Sequence, residues 1–236
     1  MKQVVSQLYQ RIRLSWQKIN WLDKVVDLVI VVIGITVAFQ LAQKGDSNKN
    51  NIRRLDYLVS FQEEVETNLN ILNSALEGAK LQKSYADTLA YLLKNQQYAD
   101  TRIGELAGRL TSVVMYQPHL TTMETVEQSG DLSLFKDLEF KRKAVNAYAT
   151  LSRLEYFDRG FKEYVDKNIE PFYFSTVNYA TFRPLNEREF VTSTGFTNST
   201  VSYQMGVSGQ VSRYEKAKAT LENFTAALEQ KIKEAQ

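Results

Sequence analysis

The residue types that most often carry out chemistry are scarce in this sequence. Its 236 residues include no cysteine and a single histidine, His119. Thiol nucleophiles, disulfide frameworks, cysteine-based zinc sites and covalent haem attachment are therefore excluded. A di-iron bundle of the ferritin type is excluded as well, because it needs two Glu-x-x-His motifs. His119 follows Pro118 between predicted helices, and we expect it to be an ordinary loop residue.

The remaining candidates do not combine into a catalytic group. Glu63-Glu64 and Glu187-Arg188-Glu189 are expected to be solvated helix faces rather than acid–base pairs. Gly104-x-x-x-Gly108 lies on an amphipathic segment and is expected to permit close packing, since glycine-rich nucleotide loops are absent. Asn198-Ser-Thr and Asn223-Phe-Thr match the glycosylation pattern, which is frequent by chance. We predict no enzymatic activity, no cofactor and no metal.

The overall composition combines two unlike regions. Lys and Arg number 29 and Asp and Glu 27, and this near-balance argues against a nucleic-acid-binding protein. Only 3 prolines and 10 glycines favour helix. The mean hydropathy of −0.34 is ordinary for a soluble protein. However, residues 1–46 hold 6 basic and 3 acidic residues, so the other 190 carry 23 basic and 24 acidic residues.

Residues 25–42, VVDLVIVVIGITVAFQLA, are apolar on every side of a helix. Eighteen residues span roughly 27 Å, close to the thickness of a bilayer's hydrocarbon core. The alternatives are a buried core helix and a cleaved signal peptide. A soluble helix this apolar all round is uncommon, and a 24-residue leader without an Ala-x-Ala site is atypical of a signal peptide. We predict an uncleaved transmembrane helix at 25–43.

The leader, 1–24, has the pattern of an amphipathic helix in the membrane interface. Its apolar residues share one arc of a helical wheel, and Arg11, Arg13 and Lys18 lie outside that arc. The predicted membrane-interface residues, in contact with lipid, are Tyr9, Trp16 and Trp21. The alternative is a helix packed on the protein's own soluble domain.

One stripe of the span combines small residues with an acidic one: Asp27, Val31, Gly34, Ala38 and Leu41. Small residues four apart let two helix backbones approach closely in lipid, and an acidic side chain is less costly against a partner than against lipid. We predict helix association through this stripe, with a partner protein or with a second copy. The alternative is a chance spacing of small residues.

Basic residues flank the span unequally, with five before it and four after it. This bias weakly favours a cytoplasmic N-terminus and an exported C-terminal domain.

Beyond the polar break at 44–51, apolar residues recur every three or four positions, as in amphipathic helices. We predict long helices over about 50–95, 134–168 and 200–234. The predicted interior residues of the second are Leu138, Val145, Tyr148, Leu151, Leu154, Phe161 and Val165. The predicted fold is all-α: an N-terminal amphipathic helix and one transmembrane helix, followed by an antiparallel bundle of three to four long helices in a domain at 44–236.

Individual residues predict where some helices begin and end. Thr121 and Glu124 are spaced as a capping box at the start of a short helix that should end at Gly130. Pro171 is expected beyond the end of the second long helix.

The stretch 172–198 is the least regular and is rich in aromatic residues. Such residues form either a hydrophobic lid on the bundle or a docking surface for a partner or ligand, since aromatics dominate binding hot spots. The residues of this possible partner surface are Tyr173, Phe174, Tyr179, Phe182, Phe190 and Phe196.

The run Asp27-x-x-x-Val31-Val32-Ile33-Gly34-Ile35-x-x-Ala38-x-Gln40 resembles the signature of an uncharacterised family of bacterial single-pass membrane proteins, a domain of unknown function. The segment TTMETVEQSGDL at 121–132 is similar to that family's Thr-rich turn and short helix. Asp27 stands where the family usually has Glu, and Leu41-Ala42-Gln43 replaces its Asn-rich exit. The resemblance implies a topology, with a bacterial inner-membrane span and a periplasmic domain, and implies no activity.

We therefore predict a non-enzymatic, membrane-anchored helical protein that acts by binding, as an accessory or scaffolding subunit of a cell-envelope complex. The alternative is a ligand-binding sensor module that signals through a partner chain, because the residues before the span are too few for an output domain. An enzyme is a third hypothesis, although spacing alone assembles no nucleophile, base and orienting group.

Overall fold

The computed structural model describes residues 21–178, 180–181 and 183–235. Almost all of them are helical, and the prediction of an all-α chain is confirmed. The α-helices are α1 (Trp21–Lys94), α2 (Ile103–Gly108), α3 (Thr121–Ser129), α4 (Leu138–Tyr164), α5 (Glu170–Thr176), α6 (Glu187–Thr192) and α7 (Thr194–Ala235). Short 3-10 helices occupy Arg109–Thr111 and Asp131–Leu134, a π-helical turn occupies Val165–Ile169, and β1 (Val177–Asn178) pairs antiparallel with β2 (Arg183–Pro184).

The chain divides into two compact units, Met1–Arg53 and Arg54–Gln236. In the first unit every described residue belongs to α1. The second unit contains the rest of α1 and all the other elements.

The interior of the second unit consists of two hydrophobic clusters. In the first cluster, aromatic rings from three helices meet: Phe61 of α1 lies 5.6 Å from Tyr148 of α4 and 6.0 Å from Phe224 of α7, measured between ring centroids. The second cluster contains Leu89 of α1 and Tyr203 of α7, with residues of the shorter elements. The three- and four-residue spacing of apolar positions thus places one face of each long helix in the core.

Helices α4 and α7 run in opposite directions along each other. Phe140 near the start of α4 lies 5.7 Å from Phe224, and Phe161 near its end lies 5.5 Å from Tyr203. The core side of α4 is opposite to the side that carries Leu138. The prediction that Leu138 and Val145 are interior is therefore wrong, since both are exposed.

The short helix α3 ends as predicted, at Gly130, which adopts the left-handed conformation with φ of +73°. Its start differs from the predicted capping box. Leu120 occupies the N-cap position, and the Thr121 side chain makes no capping hydrogen bond. Instead, the Glu64 carboxylate of α1 accepts a hydrogen bond from the backbone N–H of Thr122 at 2.9 Å. A residue distant in sequence therefore caps this helix.

Pro171 lies beyond the end of α4, as predicted, but the helical run continues past it. The π-helical turn Val165–Ile169 follows α4 directly, and Pro171 then lies in the first turn of α5. Proline is tolerated there because its missing N–H has no partner to lose.

Two helical glycines give a test of this packing. A Cβ atom at Gly206 of α7 would overlap the Phe161 ring, whereas a Cβ at Gly160 of α4 would meet nothing within 4 Å. We expect Gly206→Ala to lower the free energy of unfolding by about 1–3 kcal/mol, because the ring must move. We expect Gly160→Ala to raise it by up to about 1 kcal/mol through helix propensity. Urea unfolding of both variants, followed by circular dichroism, measures the difference, and equal effects would contradict this packing.

Candidate functional site

The described part of the first unit is an exposed apolar helix. All residues from Val25 to Leu41 are exposed. In the thirteen positions from Val25 to Val37, every residue except Asp27, Gly34 and Thr36 is a large aliphatic one. Among the described residues, α1 alone is long and apolar enough to cross a membrane. The exposure argues against the core-helix alternative, because a core helix would be covered by its own chain.

The predicted association stripe lies on this exposed segment. Asp27, Val31, Gly34, Ala38 and Leu41 are all exposed. A Cβ atom at Gly34 would meet nothing within 4 Å, so the backbone is accessible to a second helix there.

The polar end of this segment has its own ion pair and an exposed ring. The Lys24 ammonium lies 3.9 Å from the Asp27 carboxylate, and both side chains are exposed. Trp21, predicted at the membrane interface, is exposed as well. Tyr9 and Trp16 lie outside the described residues, as does almost all of the leader 1–24.

In the second unit, the nonhelical segment 112–120 is hydrogen-bonded by side chains of the long helices. The Tyr203 hydroxyl of α7 donates to the carbonyl oxygen of Ser112. The Gln210 amide, also of α7, donates to the carbonyl oxygen of Val114 at 2.7 Å. These hydrogen bonds satisfy backbone carbonyl groups that a helix or a sheet would pair with its own N–H groups.

Asn68 of α1 binds the middle of the same segment. Its Oδ1 accepts from the backbone N–H of His119 at 2.8 Å and from the Tyr116 hydroxyl at 3.1 Å. Its Nδ2 donates to the carbonyl oxygen of His119 at 2.7 Å. Asn68 and Tyr116 are fully buried. The single histidine therefore contributes its backbone here, and its side chain is exposed, as the loop prediction expects.

Asp158 of α4 is a buried carboxylate, 1% exposed, at the centre of these contacts. Its Oδ2 accepts from the Tyr116 backbone N–H at 3.0 Å and from the Tyr214 hydroxyl, and its Oδ1 accepts from the Gln210 amide at 2.7 Å. Burial raises the pKa of Asp158, while these donors and the nearby Arg213 charge act in the opposite direction. Donors therefore occupy both oxygens, and the carboxylate connects α4 to the segment 112–120 and to α7.

Glu64, predicted to be a solvated residue beside Glu63, has two partners. Besides the backbone of α3, it accepts a hydrogen bond from the Tyr148 hydroxyl at 2.6 Å. Burial and this carboxylate raise the pKa of Tyr148 far above its usual range. Glu63 itself is exposed, as predicted.

The aromatic residues of 172–198 are divided between the interior and the surface. Tyr173, Phe190 and Phe196 are buried in the second cluster, where the Phe190 and Phe196 ring centroids are 4.4 Å apart. Phe174 is exposed. The three buried rings lie where a hydrophobic lid on the bundle would place them. The other two predicted residues, Tyr179 and Phe182, lie outside the described residues.

Gly104 and Gly108 border a hollow rather than a close helix contact. A Cβ atom at either position would meet nothing within 4 Å, contrary to the close-packing expectation. The hollow, about 100 Å³, also has Tyr173 and Phe190 in its walls. This volume is below the 300–1,000 Å³ that is typical of small-molecule sites.

Among the described residues, no cluster of three or more His, Asp or Glu side chains has the arrangement of a metal site. No protein family, characterised protein or solved structure matches this chain. Two features of the described residues bear on function: the exposed helix of the first unit and the internally hydrogen-bonded helical second unit.

Asn68 provides a test of how much the segment 112–120 depends on side chains. In Asn68→Ala the N–H and carbonyl of His119 and the Tyr116 hydroxyl lose their partner. We expect the free energy of unfolding to fall by about 2 kcal/mol or more, because unsatisfied buried polar groups are costly. Asn70→Ala, an exposed position two residues later, is the control and should stay within ~0.5 kcal/mol of the wild type. Equal losses in urea unfolding would contradict the role of Asn68.

Asp158 is expected to make the free energy of unfolding depend on pH. Its folded-state pKa is raised, so between that value and the unfolded value of 3.8 the folded state binds more protons than the unfolded state. Its contribution to stability therefore increases as the pH falls through this window. Asp158→Asn removes this titration. We expect the free energy of unfolding of the wild type minus that of the variant to increase between pH 7 and pH 4. A constant difference would show that the carboxyl titrates normally.

Proposed function

We propose that this protein is a membrane-anchored, non-enzymatic helical protein that acts by binding, as an accessory or scaffolding subunit of a cell-envelope complex. The observation that carries the proposal is the uninterrupted exposure of the apolar residues from Val25 to Leu41. In water, so large an apolar surface would be costly, at roughly 25 cal/mol for each Å² exposed. A bilayer removes this cost, and a helix satisfies its own backbone hydrogen bonds in lipid.

The second unit has the properties of a binding domain in this proposal. We place it on the periplasmic side of a bacterial inner membrane, with the N-terminus in the cytoplasm, as the charge bias and the resemblance to the uncharacterised single-pass family suggest. We interpret its long helices as an antiparallel bundle, which the opposite directions of α4 and α7 support. The buried carboxylate Asp158 is enclosed by donors, which supports a structural rather than an enzymatic role.

Within the membrane, the proposed contact is the stripe of Asp27, Val31, Gly34, Ala38 and Leu41. Its partner is the span of another subunit or of a second copy. The accessible backbone at Gly34 supports this assignment, because close approach of two helices in lipid depends on small residues.

Extraction in mild detergent followed by native mass measurement tests the proposal. We expect the wild type to be recovered in a stable complex with another protein or with itself. We expect Gly34→Leu to weaken that complex by about tenfold, because the added side chain separates the two helices. Ile33→Leu, at the neighbouring position of the span, is the matched control and should leave the complex intact.

Two outcomes would count against the proposal. Release of the protein from membranes by alkaline carbonate would exclude an anchoring span. A stable monomer without any copurifying protein would argue against a subunit that acts by binding.

A further inference from the structure

The outward side of α4 carries a second apolar stripe, opposite to the side that packs in the core. Its members are Leu138, Val145, Ala149 and Tyr156, all exposed and spaced by seven, four and seven residues. At 3.6 residues per turn these positions share one helix face. Leu138 is 67% exposed and Tyr156 is 73% exposed. Exposed apolar side chains that share one face of a helix are typical of an interaction site.

The surface beside this stripe is concave. Leu138, Val145 and Ala149 line an open hollow of about 1140 Å³ with Leu132, which precedes α4. This open hollow leaves room for a second helix to lie along the stripe, as in helix-in-groove recognition.

The charges around the stripe are unbalanced. Every exposed acidic residue of α4 has a basic partner. Glu139 lies 3.1 Å from Lys143, Glu155 pairs with Arg159, and Glu163 pairs with Lys167 of the π-helical turn. In contrast, Lys136, Lys141, Arg142 and Arg153 have no acidic group within 4 Å among the described residues. The face therefore presents positive charges that its own chain does not neutralise.

These features identify the chemistry of the occupant. We propose that the outer face of α4 binds an amphipathic helix of a partner protein, one whose apolar stripe is flanked by Asp and Glu. Opposite charges favour this pairing and suppress wrong partners. A second copy would bring the same unpaired cations, and the leader of this chain is itself basic at Arg11, Arg13 and Lys18. This inference rests on the proposed function, because it names the partner of a subunit that acts by binding.

Full-length protein in nanodiscs of zwitterionic lipid provides the test. The probe is a fluorescein-labelled helical peptide of 18 residues, with Leu at every third and fourth position and Glu on both flanks. Its control is the same peptide with Lys in place of every Glu. By fluorescence anisotropy we expect the Glu peptide to bind at least about tenfold more tightly than the Lys peptide. Equal affinities would overturn the proposal.

Variants locate the binding site. We expect Leu138→Ser and Arg142→Glu each to weaken binding of the Glu peptide by about tenfold, because one removes an apolar contact and the other reverses a charge. Both positions are exposed, so the fold should be retained. Met205→Ser, at an exposed apolar position of another helix, α7, is the matched control and should bind like the wild type. If the α4 variants also bind like the wild type, the proposal is wrong.

Other occupants of the face give distinct results. Binding of anionic vesicles that is lost in Leu138→Ser would assign the face to lipid, and a dimer lost in the same variant would assign it to a second copy. Either result overturns the proposal. The proposed function is tested separately: if the detergent-extracted complex persists in both α4 variants while the peptide fails to bind, the anchored binding subunit stands and this face is not its partner site.

Discussion

Buried backbone groups need hydrogen-bond partners, and in the second unit this requirement determines how three long helices are arranged. Helices satisfy their own N–H and C=O groups, whereas the segment 112–120 is neither helix nor strand. Asn68 of α1, Asp158 of α4 and Gln210 of α7 provide the partners, at distances of 2.7–3.0 Å. Each helix must therefore keep one polar side chain on a common segment, in addition to packing its apolar face. This requirement specifies the register of the helices more narrowly than apolar contacts alone.

The exposed apolar surfaces of the two units differ in their chemistry. The surface from Val25 to Leu41 is uncharged apart from Asp27 near its end, which suits lipid. The outer face of α4 mixes Leu138 and Tyr156 with basic residues, which suits an interface that forms in water. Apolar exposure alone would not distinguish them, and the charges beside each surface do so. In the proposed function, the first surface contacts a partner in the membrane and the second surface contacts a partner outside it.

The sequence predicts features that depend on neighbouring residues, and fails where distant residues decide. The long helices and the end of α3 at Gly130 follow from local periodicity and from a glycine in the left-handed conformation. Asn68 and Asp158 give no such signal, because their partners lie about fifty residues away in the chain. The sequence places Leu138 in the interior incorrectly. The spacing of apolar residues cannot show which of two apolar faces of one helix packs in the core. The resemblance to a family stays a prediction because no protein family matches this chain. The association stripe stays a prediction because its partner lies outside this chain.

The π-helical turn Val165–Ile169 has a consequence for the phase of the helical run that contains it. A π turn accommodates one extra residue, which amounts to a rotation of about 100° for everything that follows. In an uninterrupted α-helix, Tyr173 would point roughly 100° away from the centre of the face that Phe161 and Val165 share. With the extra residue absorbed, Tyr173 returns to that face and reaches the second cluster. The extra residue in the π-helical turn therefore rotates α5 so that both α4 and α5 place side chains in the second cluster.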